Sequence, residues 1–368
     1  MKAQTLTLGD LNRATLARQM LLGRQKTAAL RAVEALVGLQ AQVARPPFVG
    51  LWTRVEGFRR EDLLRLLHGR KVVRATAMRG TLHLVSARDF VALRPALQPM
   101  LSQGMRSVLR GRATGFDLDR VVAAARACFE EGPCTFDVLR PRLARAFPKG
   151  DARAMAYAAR LHLPLVQVPT DAAWGFPAAA DFAVAETWLG RKFTAPADPA
   201  LLVLRYLAAF GPATVADAQT WSGYASLREA FERLRPRLRV LRDERGRELF
   251  DLAKAPRPPA RTRAPVRFLP DFDNLVLAHH DRTRLVAPEH RPALATRNLL
   301  IPATFLVDGM VAGTWRAERA RRAAALTLEA FEAPPASARA ALVEEGGRLL
   351  RFVEGDAASH EVRFARGG

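Results

Sequence analysis

Apolar residues recur at helical spacing through two stretches near the N-terminus, over residues 7–24 and residues 27–40. This period predicts two amphipathic helices, and the cap-like sequence Thr7-Leu8-Gly9-Asp10 begins the first. The second leads into Gln40-Ala41-Gln42, which is followed by Pro46-Pro47. Because proline stops a helix, the pattern predicts a helix that ends in two amides and passes into a loop.

The hydrophobic period then changes from helical to alternating. Two further helices are predicted over residues 48–52 and 60–67. Two β-like runs follow, residues 72–78 and 81–85, and Arg79-Gly80 joins them as a hairpin. Three helices followed by a hairpin is the order of a winged helix. Ser86 is predicted to cap the helix that comes next.

The same order of elements recurs twice more along the chain. The second copy is predicted to have helices over residues 117–131, from residue 134 and over residues 151–160, and strands over residues 163–168 and 173–176. The third copy is predicted to have helices over residues 200–207, after residues 211–217 and over residues 226–231, and strands over residues 238–241 and 248–252. Gly132-Pro133-Cys134-Thr135 and Gly211-Pro212-Ala213-Thr214 occupy equivalent points, which supports an internal repeat.

The last third of the chain has a different pattern. A linker rich in proline and arginine is predicted over residues 254–267. Strands are predicted over residues 266–270 and 304–315, and the second stretch is a pair of strands joined at Asp308-Gly309. A helix is predicted over residues 337–352. The predicted fold class is therefore α+β, mostly α. The predicted domains are three tandem winged helices over residues 1–112, 113–197 and 198–256, and a β-rich α+β region over residues 265–368.

Composition narrows the class of partner. The chain has 368 residues, 49% of them hydrophobic, so it folds and has room for several modules. Lys and Arg number 57 against 36 Asp and Glu, which gives a net charge of +21. A protein this basic most often meets a polyanion, above all nucleic acid. The alternative is a basic housekeeping enzyme from an arginine-rich proteome.

The cysteines and the N-terminus indicate the compartment. Cys128 and Cys134 have no partners at metal-binding spacing, so they are expected to be free thiols in a reducing cytosol. The chain has neither a signal-peptide pattern nor a run of 18 apolar residues, so we expect a cytoplasmic protein without a membrane partner.

The two glutamines are the first candidates for chemistry. A glutamine amide carries two N–H donors and an acceptor, so a pair can hold a water or a sugar-phosphate without adding charge. At a helix end before a loop, Gln40 and Gln42 could both turn toward one cleft. The alternative is a pair of solvated residues at a helix end, because Gln-x-Gln alone is a weak signal.

Basic and polar residues around the first hairpin are candidates for DNA contact. Arg79 at its tip and Arg74 on its first strand are placed for phosphate contact, although a solvated arginine turn is an equal alternative. His83 alternates with two leucines, which predicts either a groove residue or a half-exposed structural histidine. Arg45 and Thr81 complete the hairpin-side set. In a later loop, Arg282 and Arg284 either pair internally or contact phosphate.

Other catalytic chemistries find little support. His279-His280-Asp281 has no third ligand at zinc spacing, and no phosphate-binding glycine loop or nucleophile elbow occurs, so no metal and no cofactor are expected. Asp271 and Asp273 could act as acid and base, but such a pair at the end of a strand is more often structural.

Three motifs in order resemble the AlkZ-like family of winged-helix DNA glycosylases. They are Gly38-Leu39-Gln40-Ala41-Gln42, the hairpin sequence over residues 78–86, and the stretch over residues 272–282. The resemblance covers about residues 8–320. It implies a C-shaped clamp of three winged helices with a C-terminal β-rich part. It also implies excision of N7-alkylated purines, including interstrand crosslinks, for self-resistance in producers of DNA-alkylating antibiotics.

The catalytic motif of that family is Gln-apolar-Gln, and the matching residues here are Gln40 and Gln42. A broader bacterial subgroup has Asp at the second position, so Gln42 favours the resistance-type branch. Because N7 alkylation makes the purine a cation, the glycosidic bond is already weakened and no strong acid is needed. A positioned water and a stabilised oxocarbenium-like sugar then suffice.

We therefore expect a monomeric, monofunctional DNA glycosylase whose partner is double-stranded DNA carrying bulky or crosslinking N7-alkylpurine lesions. The main alternative is a non-catalytic winged-helix DNA-binding protein such as a transcription regulator. A remoter alternative is a protein-interaction scaffold.

Overall fold

The computed structural model describes residues 4–112, 115–294 and 301–365. Its first part follows the predicted order of three helices and a hairpin after an N-terminal helix. The Thr7 side chain and Asp10 form a capping box at the start of that helix, as the sequence indicated. The elements are β1 (Thr5–Leu6), α1 (Leu8–Arg18), α2 (Ala29–Ala35), β2 (Leu39–Gln40), α3 (Pro46–Trp52), α4 (Arg60–His68), β3 (Val72–Thr76) and β4 (Leu82–Ser86).

The prediction that a helix runs through residues 27–40 is wrong in its second half. After α2, Val37 and Gly38 have φ values of 55° and 87°. A Cβ atom on Gly38 would lie 2.8 Å from the carbonyl oxygen of Leu84, so the close approach of β4 requires glycine here. The chain therefore leaves the helix early, and Gln40 lies in the short strand β2.

The second part of the chain contains the predicted three helices and the first of the two predicted strands, preceded by a long helix that Ser86 caps. The strand predicted over residues 173–176 is wrong. Gly175 has a φ of 79°, and Trp174 and Phe176 pack against the core of the first part instead of forming a strand. The elements are α5 (Ala87–Leu109), α6 (Leu118–Glu131), α7 (Phe136–Ala146), α8 (Ala152–His162), β5 (Leu165–Gln167), β6 (Phe182–Val184) and α9 (Ala185–Leu189).

The third copy of the pattern is confirmed element by element. The Thr214 side chain caps its second helix in a capping box with Asp217. The elements are α10 (Ala200–Phe210), α11 (Val215–Ser222), α12 (Arg228–Leu234), β7 (Leu238–Asp243) and β8 (Glu248–Leu252).

The C-terminal part contains the predicted hairpin and terminal helix. Asp308 and Gly309, with φ values of 43° and 80°, form the tight turn between two strands. The strands after this hairpin and after the helix were not predicted. The elements are β9 (Arg267–Leu269), α13 (Asn274–Leu277), β10 (Thr304–Val307), β11 (Met310–Ala320), β12 (Ala323–Ala330), α14 (Ala336–Val353) and β13 (Ser359–Phe364).

Three sheets connect these parts, in the orders β1-β7-β8, β2-β4-β3-β5-β6 and β13-β12-β11-β10-β9. The middle sheet joins strands of the first and second parts, because Arg74 of β3 lies opposite Gln167 of β5. In the first sheet, β1 pairs with β7 of the third part. The mixed α+β class is confirmed. The division into three separate winged helices and their clamp arrangement stay predictions.

A buried ion pair ties the first part to the C-terminal part next to Gln40. Arg54, just after α3, lies 2.8 Å from Asp273, and the two side chains are 1% and 5% exposed. Asp273 also accepts a hydrogen bond from the Leu275 amide at the start of α13. Because both charges are removed from water, each needs the other.

We expect Asp273→Asn to lower the free energy of unfolding by about 3–5 kcal/mol, because it leaves the Arg54 charge buried without a counter-ion. The matched control is Asp356→Asn, whose exposed carboxylate pairs with Arg319 at 2.6 Å. It should cost much less than Asp273→Asn, because exposed ion pairs contribute little to stability. Urea unfolding of both variants measures the difference, and equal losses would contradict the assigned role of Asp273.

Candidate active site

Gln40 is held in one orientation by an arginine. Its Oε1 atom accepts a hydrogen bond of 2.7 Å from Nη2 of Arg79, and its residue is 8% exposed. Because a guanidinium only donates, the acceptor must be the amide oxygen, which fixes the amide in place. The Nε2 group is left as a double donor and bonds to none of the residues in the described ranges.

Arg79 brings distant segments to this glutamine. It lies in the turn of the first hairpin with a φ of 57° and also donates to the carbonyl oxygen of Trp221 and, at 3.1 Å, to Oδ1 of Asn274. Burial and then the nearby charge of Arg282 lower the pKa of Arg79 to about 10, so it remains charged at neutral pH. Arg79 was predicted to contact phosphate, whereas here much of its hydrogen-bonding capacity serves the protein.

Gln42 is more loosely held. Its side chain is exposed, and its Oε1 atom accepts from the Leu82 amide at 3.3 Å. This distance lies beyond the usual range for an N–H···O hydrogen bond, so the contact is weak. Between the two glutamines, Ala41 is fully buried and its amide donates to the carbonyl oxygen of Leu82 at 2.7 Å. The motif is thus anchored at its centre and freer at Gln42.

Arg74 holds the backbone of the motif. Its Nε donates to the carbonyl oxygen of Ala41 at 2.8 Å, and its Nη2 donates to that of Gln42 at 3.1 Å. The guanidinium also lies 5.0 Å from the centre of the Phe176 ring. Burial and then the charge of Arg160 lower the pKa of Arg74 to about 10. Arg74 was predicted to contact phosphate. Only 5% of the residue is exposed, so most of it lies in the protein interior.

The arrangement offers N–H donors in place of a general base. Both amide oxygens are already bonded to protein donors, so the free amide groups suit an oxygen atom of a water, a sugar or a phosphate. A cavity of about 10 Å³ beside Gln40 is also lined by Pro46, Asp271 and Asn274. That volume is about what one water requires. Burial raises the pKa of the Asp271 carboxyl, whose Oδ1 accepts from the Ala303 amide at 3.2 Å.

The prediction that His83 is at least half exposed is wrong. The residue is fully buried, and its Nδ1 lies 3.1 Å from the carbonyl oxygen of Thr81. The alternation on β4 suggested an open face, but the sheet is covered on both sides here. Burial and then the charge of Arg79 lower the pKa of His83 to about 3, so its ring is neutral at physiological pH. The Thr81 hydroxyl donates back to the carbonyl oxygen of Met78 at 3.2 Å.

The remaining basic candidates differ in accessibility. Arg284 is 4% exposed and donates to the carbonyl oxygen of Pro212 at 2.9 Å, which places it inside the protein. Arg282 is half-buried, and its guanidinium makes no hydrogen bond or ion pair with the residues that the structure describes. Arg45 lies 3.8 Å from Glu354, with its side chain 32% exposed. Arg282 and Arg45 can therefore still reach an outside ligand.

The histidine pair behaves as a structural element. His279 is buried and bonds to the carbonyl oxygen of Phe210 at 3.0 Å, whereas His280 is exposed. Asp281 is paired with Arg245 at 3.2 Å. No group of three or more potential metal ligands occurs within residues 4–112, 115–294 and 301–365. In the same ranges, no helix has the length and apolar character needed to cross a membrane.

Two residues of the site were missed by reasoning from the sequence. Asn274 accepts a hydrogen bond from Arg79 and donates one to the carbonyl oxygen of Gly38 at 3.3 Å. It therefore links Arg79 to the residue just before the strand that contains Gln40. Arg54 supports the same loop through Asp273. Asn274 lay within a motif that carried the family resemblance, which was the available signal. Arg54 had none, because its partner is 219 residues away in the sequence.

The fold and the paired amides can now be compared with known proteins. A family model described as DNA glycosylase AlkZ-like matches residues 33–352. The chain therefore belongs to the AlkZ-like DNA glycosylase family, and the resemblance seen in the motifs is confirmed.

A relative and a solved structure, both from Streptomyces sahachiroi, are similar to this chain. The interstrand DNA cross-link repair glycosylase of that organism is 28% identical over 325 residues, which is 81% of this chain and 84% of the relative. The solved structure of the DNA glycosylase AlkZ superimposes with a TM-score of 0.80 at 23% identity, over 98% of this chain and all of that chain. The second similarity shows a shared fold.

We expect the protein to lose stability as the pH falls from about 6.5 toward 3, because unfolded His83 binds a proton that the folded state excludes. The slope from this residue reaches about 1.4 kcal/mol per pH unit. Urea unfolding of His83→Gln across this range should show a shallower loss. The surface variant His68→Gln is the control, and equal slopes in wild type and His83→Gln would contradict the assignment.

Proposed function

We propose that this chain is a monofunctional DNA glycosylase that hydrolyses the N-glycosidic bond of bulky or crosslinking N7-alkylated purines. Its family, the name of the cross-link repair relative and the net charge of +21 support action on DNA. The observation that carries the proposal is the fixed amide of Gln40 beside the freer amide of Gln42. Self-resistance to a DNA-alkylating natural product is the biological role that we propose.

The two glutamines have different tasks in this proposal. Gln40 cannot turn without losing the 2.7 Å bond from Arg79, so it serves as a donor to an oxygen of the deoxyribose or phosphate. Gln42 can exchange its weak bond to the Leu82 amide for a water, whose O–H group then donates a hydrogen bond to its Oε1. The oriented water forms a bond to the anomeric sugar carbon as the glycosidic bond breaks, and the bonding electrons leave with the purine, which becomes neutral. The proton released by the water passes to solvent, so neither an acid nor a strong base is required.

A glycosylase that also cleaves the strand usually needs an amine to form a Schiff base. The residues lining the cavity beside Gln40 include no lysine. This supports water as the nucleophile and an intact abasic site as the product. Monomeric state and cytoplasmic localisation remain part of the proposal.

The activity is tested by incubating the protein with duplexes that contain N7-methylguanine or a bulky N7 adduct. We expect strand breaks above those of a no-enzyme control only after mild base treatment without strong heating, because the first product is an abasic site. Intact DNA across several adducts, together with tight DNA binding, would contradict the proposal and favour a non-catalytic DNA-binding protein. Nanomolar preference for one undamaged sequence would favour a transcription regulator.

The separate tasks of the amides are tested by replacing each with an isosteric carboxylate. Gln40→Glu removes the donor and pairs with Arg79, so the single-turnover excision rate should fall by about 10²-fold or more. Gln42→Glu keeps an acceptor for water, so its rate should fall much less than that of Gln40→Glu. Binding to an undamaged duplex at low salt controls for folding. The opposite order of rates would exchange the two assignments.

A further inference from the structure

Arg160 is a cation without a counter-ion among the residues that the structure describes. It lies near the end of α8, is half-buried, and its Nε atom is enclosed without a hydrogen-bond partner. In the part of the chain that the structure describes, its guanidinium forms no ion pair and no hydrogen bond. Burial lowers the pKa of Arg160. A half-buried cation whose Nε group is enclosed without a partner is costly, and a ligand from outside the chain could stabilise it.

Other enclosed arginines of this protein show the contrast. Arg18 lies 2.7 Å from Asp251, and Arg54 lies 2.8 Å from Asp273. Arg160 instead has a second guanidinium as its charged neighbour, that of Arg74, and the repulsion between them contributes to the lowered pKa of Arg74. Neither of these two has a carboxylate within ion-pair distance among the described residues. Two like charges together without a counter-ion favour an anion as the ligand.

A third polar group lies beside Arg74 on the middle sheet. Gln167 of β5 is directly opposite Arg74 of β3, so their side chains project to the same side. Gln167 is 7% exposed, and its Oε1 atom has no partner among the described residues. Since no bond fixes this amide, it can turn its Nε2 group toward a ligand. The cluster of Arg74, Arg160 and Gln167 thus has unused donors on three side chains.

The cluster is adjacent to the proposed catalytic motif, because Nη2 of Arg74 donates to the carbonyl oxygen of Gln42 at 3.1 Å. We propose that Arg160, together with Arg74 and Gln167, binds one backbone phosphate of the damaged strand beside the lesion nucleotide. This rests on the proposed glycosylase function. Guanidinium groups match the oxygen geometry of a phosphodiester, and the phosphate would supply the negative charge that the cluster lacks. Arg160 then anchors the strand whose sugar the two glutamines address.

The first experiment measures how binding depends on salt. The probe is a duplex with a tetrahydrofuran abasic-site analogue, which cannot be turned over. Each phosphate contact adds about 0.9 to the slope of log K against log salt concentration, so Arg160→Gln should reduce the slope by about 0.9. The matched control is Arg348→Gln, which removes an exposed arginine paired with Glu344 on α14 and should leave the slope unchanged.

The second experiment locates the phosphate. Neutral methylphosphonates replace the phosphates around the analogue one at a time. In the wild type, one position next to the analogue should weaken binding more than its neighbours, and Arg160→Gln should be insensitive at that position. If Arg160→Gln and wild type show the same slope and the same sensitivity pattern, the phosphate site is overturned.

Thermal unfolding separates binding from folding. Because Arg160→Gln removes an unbalanced cation, its melting temperature without DNA should equal or exceed that of the wild type. A lower melting temperature with an unchanged slope would mean that Arg160 is structural and would overturn the phosphate site. If Arg160→Gln reduces the salt slope but the wild-type protein excises no N7-alkylpurine, the glycosylase is refuted and the DNA-phosphate site stands. A wild type that excises such lesions while Arg160→Gln binds normally would refute only the site.

Discussion

The geometry of the candidate active site depends on the hydrogen bonds that the guanidinium of Arg79 donates. It joins Gln40, the main-chain oxygen of Trp221 and the side chain of Asn274, which come from three distant parts of the sequence. A neutral side chain could not serve so many acceptors from one position in the interior. The cost of burying the charge is offset by these hydrogen bonds. The Gln40 amide is therefore oriented only when all three parts of the chain are folded together.

The candidate site combines rigidity with freedom at neighbouring residues. Gly38 lets β4 approach the motif closely, Arg74 fixes the backbone after it, and the buried Ala41 leaves no room for displacement. Gln42 remains exposed with one weak bond. This is what a reaction on an already cationic base requires, because the enzyme must position groups more than it must activate them. A strong acid in this site would add little to a leaving group that is already activated.

Local signals in the sequence predicted most of the secondary structure. The Thr7 and Thr214 capping boxes, the Asp308-Gly309 turn and the hairpin at Arg79-Gly80 each arise from residues within a few positions of one another. The error at Gln40 arose where a long-range contact overrides a local pattern, since the approach of β4 ends the helix early. The motif located the two glutamines, but their orientation could not be predicted. It is set by partners 39 or more residues away, which periodicity does not reveal.

The middle sheet has a mechanical consequence. Its strands run from β2 through β4 and β3 to β5 and β6, so one ladder of backbone hydrogen bonds crosses from the segment with the glutamines to the segment that carries Arg160. A ladder of this kind cannot hinge at the β3–β5 seam without breaking main-chain bonds. The sheet therefore restrains the distance between the two glutamines and the neighbouring basic cluster. Adjustment to duplexes of different curvature must come from connections between parts of the chain that do not share a β-sheet.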